Sequence, residues 1–133
     1  MPGMQRQRIS GHSPYEGVFG FSRAIVAGDR VIVAGTAPVP PSGGPAPSGA
    51  YRQARLCLDL IAEALGQAGA TFDDVVRTRM YITDAAHWAE VARAHGEVFA
   101  QIRPAATAVI VAALLDPAWL VEIEAEAVLP APS

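Results

Sequence analysis

The sequence contains no lysine; all ten of its basic residues are arginines. A Schiff base between a lysine amine and a carbonyl substrate is therefore excluded. There is one cysteine, Cys57, so no intrachain disulfide can form. Set among Leu56, Leu58 and Leu60, it reads as a small buried hydrophobe. Charged residues make up only 17% of the 133, and the formal net charge is −3. That leaves no concentrated basic face of the kind nucleic acid requires. No apolar run approaches the ~18 residues needed to span a membrane, and no segment resembles a secretory leader. The expectation is a soluble cytoplasmic protein with neither a membrane nor a nucleic-acid partner. Metal and nucleotide signatures are missing as well. There is no HExxH, no CxxC and no lysine-bearing phosphate loop, and His12, His87 and Cys57 have no ligand spacing. No cofactor is expected.

What the chain does have is 51% hydrophobic residues, enough for the core of one domain spanning residues 1–133. So much apolar surface with so little charge in a small chain suggests that part of it meets another subunit. Residues 1–18 are polar, contain Gly and Pro and lack periodicity, which predicts an irregular arm. Apolar runs at Ala24–Val26 and Val31–Ala34 flank Gly28-Asp29, and a glycine in so short a connection predicts a hairpin. Residues 38–49 are a Pro/Gly loop. Leu56, Leu60, Ile61, Ala64 and Leu65 recur at helical spacing, predicting a helix from Ala50 to about Ala68. "DDVVRTRMYITD" alternates, with Arg77, Arg79 and Tyr81 on one side and Val76, Thr78, Met80 and Ile82 on the other. Asp84 then caps a helix over about 86–100 with the stripe Trp88, Val91, Ala92, His95 and Phe99. Residues 102–128 read as two strands, about 105–113 and 119–128, joined by a short turn at Asp116-Pro117. The order β-β-α-β-α-β-β implies an α+β fold, two helices covering one face of a four- or five-stranded mixed or antiparallel sheet.

The last strand holds the best candidate chemistry. Glu122, Glu124 and Glu126 share one face, opposite Val121, Ile123, Ala125 and Ala127. Three carboxylates so close repel unless solvated or paired. Arg77 and Arg79 are natural cross-strand partners, so both an ion-paired face and a functional carboxylate fit the pattern. His95, on an apolar stripe, reads as a packed, hydrogen-bonded histidine. Ser10, Ser13 and Ser22 lack a GxSxG elbow. Pro2, which would be an N-terminal base once Met1 is removed, leads into a polar arm and not into a strand.

"GFSRAIVAGDRVIVAGTAP" (20–38), "DDVVRTRMYITD" (73–84) and "RPAATAVIVAALLDPAWLVEIEAEAV" (103–128) together resemble the Rid family, also called YjgF-like, the reactive-intermediate deaminases. The resemblance runs over residues 19–129, and "LVEIEAEAV" is its most specific piece. It implies a chorismate-mutase-like α+β fold and a homotrimer with clefts between subunits. The implied activity is hydrolysis of enamines and imines such as 2-aminoacrylate to a 2-oxo acid and ammonia. In active members a glutamate positions water and an arginine binds the substrate carboxylate by a bidentate contact. The glutamate falls on Glu122. The arginine falls on Ala106, which cannot bind a carboxylate through its side chain. Phe21 stands at a tyrosine position of the cleft entrance, Ala92 at an asparagine position, and Ala108 at a small polar or thiol position. The chain thus resembles an arginine-lacking branch with a more apolar cleft, lined by Phe21, Gly35, Thr36, Ala106 and Ala108. Arg23, Arg79 and Arg103 are the arginines able to replace the missing cation, and alternation favours Arg79, on the face of Tyr81 and the glutamates. A non-catalytic metabolite-binding trimer is the alternative. The endoribonuclease or translation-inhibitor activity attached to some relatives has thin physical support here, without a basic patch or paired histidines.

Overall fold

The computed structural model describes residues 5–131. Pro2, weighed above as an N-terminal base, lies outside the described residues. The elements are β1 (Arg6–Ile9), β2 (Ala24–Ala27), β3 (Arg30–Thr36), α1 (Ala50–Gln67), β4 (Val75–Ile82), α2 (Trp88–Phe99), β5 (Ala105–Ile110) and β6 (Val121–Val128). They form one six-stranded sheet in the order β1-β2-β3-β6-β4-β5. Neighbours run antiparallel except for β4 and β5, which are parallel and are joined through α2 as parallel neighbours must be.

Two expectations are corrected here. The N-terminal arm is not wholly irregular: β1 pairs with β2 along the edge of the sheet, and a single π turn forms at Glu16–Gly20. β1 escaped notice because only Ile9 of its four residues is buried, so no alternation shows. Residues 102–128 are not a hairpin. β4 lies between β5 and β6, pairing Ile82 with Ile110 on one side and with Val121 on the other. Proximity in sequence suggested a direct pairing that the longer-range β4–β6 ladder pre-empts.

One face of the sheet carries Val33, Ile82 and Ile123 against Leu58 and Ile61 of α1 and Val91 of α2, all of them buried. Each such side chain contributes roughly 1.5–3 kcal/mol on leaving water. The register of β4 shifts between Val75 and Arg77, so Val75 takes the buried position that alternation gave to Val76. Cys57 is fully buried and its thiol faces the Val121 carbonyl at 3.9 Å. His95 is packed and hydrogen-bonded as expected, with Nε2 2.8 Å from Thr78 Oγ1 and its ring 4.7 Å from that of Phe99.

The entry to β6 is fixed by a buried glutamine. Gln53 Nε2 donates to the carbonyls of Pro47 and Ala118, each at 3.0 Å, and its Oε1 accepts from Leu120 N at 2.8 Å. All three bonds tie loops to α1 and set where β6 begins, at Val121, one residue before Glu122.

Candidate active site

Opposite the helices, the sheet presents Arg79, Tyr81 and the three glutamates of β6. Arg79 Nη1 lies 3.2 Å from Glu124 Oε1 and 3.7 Å from Glu126 Oε1. The Tyr81 hydroxyl donates to Glu124 at 2.7 Å, and Arg30 reaches Glu126 at 3.3 Å. Two of the three carboxylates are thus engaged by cross-strand partners, while Arg77 forms no ion pair among the described residues.

Glu122 stands apart from that network. It lines a cavity of about 700 Å³ at the end of the sheet. Four segments converge there: the N-terminal residues from Ser10 to Arg23, the end of β3 from Ala34 to Val39, one side of α1 from Leu60 to Gln67, and Leu115 and Trp119 before β6. Gly35 opens the way. β3 is irregular between Val33 and Thr36, and a Cβ built on Gly35 would lie 2.5 Å from Glu122 Oε2. Only glycine lets the carboxylate lie this close to the β3 backbone.

Arg23 is the cation of the cavity. Its Nη2 donates to the Gly35 carbonyl at 2.7 Å, and its guanidinium lies 5.3 Å from the centre of the Phe21 ring. Its Nε is buried without a hydrogen-bond partner, and no carboxylate lies within 4.0 Å of it among the described residues. Gly11 makes room for its stem, since a Cβ there would meet Arg23 Cγ and Cδ at 2.9 Å. Burial pushes the Arg23 pKa down, opposed by the fields of Glu16 and Glu122. Burial likewise pushes the Glu122 carboxyl up, with Arg23 pulling it back and Glu124 adding to the rise. A desolvated carboxylate near a cation it does not touch is set up to exchange protons with a third group.

The N-terminal wall is held by its own contacts. Glu16 accepts from Gly11 N at 3.0 Å, and His12 Nε2 lies 2.8 Å from Glu63 Oε1 at the mouth. The π turn closes with Phe21 N donating to Glu16 O at 3.0 Å, and Phe19 meets Phe21 edge to face at 5.7 Å.

Of the residues singled out in the sequence, Glu122, Phe21, Gly35 and Arg23 come together in this cavity. Thr36 is buried, its hydroxyl donating to Ala34 O at 2.8 Å. Ala106 and Ala108 lie on the edge strand β5, in register with Thr78 and Met80, and are not among the residues lining the cavity within one chain. Arg103 precedes β5 with φ 57 and is exposed. The sequence reading missed Val18, Phe19, Leu115 and Trp119. The one sequence signal for Val18 and Phe19 is the apolar "VFGF" inside an otherwise polar stretch. Among the described residues no group of three His, Cys, Asp or Glu is placed to hold a metal, and no helix is long and apolar enough to cross a membrane.

A mixed sheet backed by two helices is the architecture of a known class. The family model described as Endoribonuclease L-PSP matches residues 12–129. The crystal structure of a YjgF/YER057c/UK114 family member from Mycobacterium tuberculosis is similar with a TM-score of 0.86 and 44% identity, covering 94% of this chain and 100% of that one. A Rid family protein from Yersinia pestis is similar with a TM-score of 0.84 and 29% identity, over 94% of this chain and 100% of its own. A RutC family protein of Pyrococcus abyssi is 33% identical over 106 residues, 79% of this chain and 83% of the relative. The chain belongs to the Endoribonuclease L-PSP family, the YjgF/Rid family, and has its α+β fold.

Proposed function

We propose that the protein is a cytoplasmic homotrimer that hydrolyses an imine- or enamine-like metabolite, with Glu122 as the group that handles water. One observation carries this reading. Glu122 is the β6 carboxylate without a cross-strand ion pair, and it sits half-buried in the cavity with its pKa raised. A carboxylate moved up toward neutrality is the better general base at cellular pH. Glu122 takes a proton from water as the water oxygen bonds to the imine carbon. That proton passes to nitrogen to give a carbinolamine, and Glu122 then carries the hydroxyl proton to nitrogen as the C–N bond breaks, releasing an amine or ammonia and leaving a carbonyl.

Arg23 rather than Arg79 supplies the cation on this reading, because Arg79 is bound to Glu124 and Glu126 and Arg23 faces the cavity. Phe21 and β3 at Ala34 and Gly35 shape the pocket, while Thr36, buried beside them, does not line it. In the trimer, Ala106 and Ala108 give the cleft small apolar side chains where active relatives carry polar ones. The trimer itself is supported by Ile32, Val109 and Ile110, which are 42–53% exposed on the sheet. Such a surface suits subunit contact better than water.

The test is Glu122→Gln, which keeps the shape and removes the base. Turnover of imines released in solution falls by two orders of magnitude or more, and sedimentation still gives a trimer. Unchanged turnover rejects the role. Ligand binding with no turnover in either form selects the non-catalytic metabolite-binding trimer, the reading favoured by the apolar residues at 21, 92, 106 and 108.

A further inference from the structure

Around Arg23 and Glu122 the cavity wall is mainly apolar. Val18 and Phe19 on the π turn and Leu115 before β6 are 90%, 79% and 91% exposed, yet all three converge on this one space together with Phe21 and Trp119. Single exposed hydrophobes are ordinary, whereas a converging set marks a surface that something covers. Of the polar side chains lining it, His12 and Glu63 are bonded to each other. A space of about 700 Å³ is within the range that encloses a drug-sized molecule. A three-carbon imino acid would leave most of this wall wet.

The charge distribution adds a second constraint. Arg23 has a buried Nε without a partner and no carboxylate within 4.0 Å among the described residues, while its Nη2 is used on a neutral carbonyl. A partly desolvated guanidinium without a touching counter-charge is costly, and an incoming carboxylate relieves that cost. Glu122 is near enough to be felt but does not make this contact.

We infer that the cavity selects imino or enamino acids with a large aromatic or branched apolar side chain, the carboxylate on Arg23 and the side chain against Phe19, Leu115 and Trp119. This rests on the hydrolytic reading for the fate of the C=N bond. The water oxygen bonds to the imine carbon, both water protons end on nitrogen, the C–N bond breaks, and a 2-oxo acid and ammonia leave.

The experiment compares imino acids released in place by an amino-acid oxidase from phenylalanine, leucine and alanine, using the full chain and its Phe19→Ala and Leu115→Ala variants. The phenylalanine-derived imine has the higher kcat/KM, by on the order of ten- to hundredfold over the alanine-derived one. Either variant compresses that ratio by roughly fivefold, the share expected of one lost wall contact. A readout independent of turnover uses Glu122→Gln protein in thermal shift. Phenylpyruvate raises the melting temperature, whereas pyruvate and carboxylate-free phenethylamine do not. Turnover that depends on Glu122 but favours the alanine-derived imine overturns this inference and leaves hydrolysis standing. Stabilisation by phenethylamine equal to that by phenylpyruvate overturns the Arg23 contact. Phenylpyruvate binding with no imine turned over supports the wall and Arg23 as a ligand site while rejecting hydrolysis. Neither binding nor turnover rejects both.

Discussion

Replacing Gly35 by alanine should separate the position of the Glu122 carboxylate from the stability of the fold. The new methyl would lie 2.5 Å from Glu122 Oε2 and 3.3 Å from its Cδ, where ordinary contact begins at 3.4 Å. The carboxylate must therefore retreat by about 1 Å. Because the atom displaced is the far end of a flexible side chain, the backbone can stay in place. Gly35 is also not among the glycines with positive φ, so alanine adopts its conformation without strain. Lower entropy of the unfolded chain favours the variant by roughly 0.4–1 kcal/mol, against a packing cost of similar size, so the net change stays within about 1 kcal/mol. Turnover is another matter. A 1 Å misplacement of a reacting group costs on the order of a hundredfold, equivalent to about 2.7 kcal/mol in the barrier. The assay pairs initial rates on the phenylalanine-derived imine with a thermal melt of the same preparation. A variant that melts like the parent and turns over within threefold of it refutes the placement of Glu122 as the group acting on water. One that melts many degrees lower shows instead that Gly35 serves the sheet.

Arg79→Gln removes the ion pairs to Glu124 and Glu126; it should lower stability by roughly 0–1 kcal/mol, as for exposed pairs, and leave turnover within about twofold. A hundredfold loss in that variant would give Arg79 the role assigned to Arg23. His95 is held neutral by burial, its pKa pushed below the ordinary 6.5. Below that pH the unfolded chain takes up a proton that the folded chain refuses, so the histidine's contribution to stability is full above 6.5 and declines as pH falls toward the depressed folded value. Melts at pH 7.5 and 5 should therefore differ more for the parent than for His95→Gln, and equal differences reject this account of His95.

The elements easiest to read in the sequence were those whose burial pattern is local. β2 and β3 announce themselves through the apolar runs around Gly28-Asp29, α1 through its spacing, and β4 through alternation from Arg77 to Ile82. What failed depended on partners far along the chain. RQRI has no pattern of its own and becomes β1 only because β2 offers it an edge. β5 and β6 look like neighbours until the β4 ladder claims the space between them. The candidate site divided in the same way. Glu122 stood out through the family likeness and the period of its strand, and Arg23 was one of three open candidates. Which arginine faces the cavity depends on the irregularity at Gly35 and on the cross-strand glutamates that hold Arg79, neither of which is encoded near Arg23. The aromatic wall was hidden because a π turn imposes no apolar period, so "EGVFG" offers nothing to count.

The strand order has a consequence for how the protein comes into being. β6 follows every other described strand in the chain yet is inserted between β3 and β4, so the growing chain holds two half-sheets that cannot join until residues 121–128 leave the ribosome. Such long-range pairing is slow, and the waiting edges are open to the wrong strands. Since Glu122 sits on that final strand, a nascent chain has no working pocket. Loss of β6 would therefore cost the join between the two halves of the sheet, not just an edge.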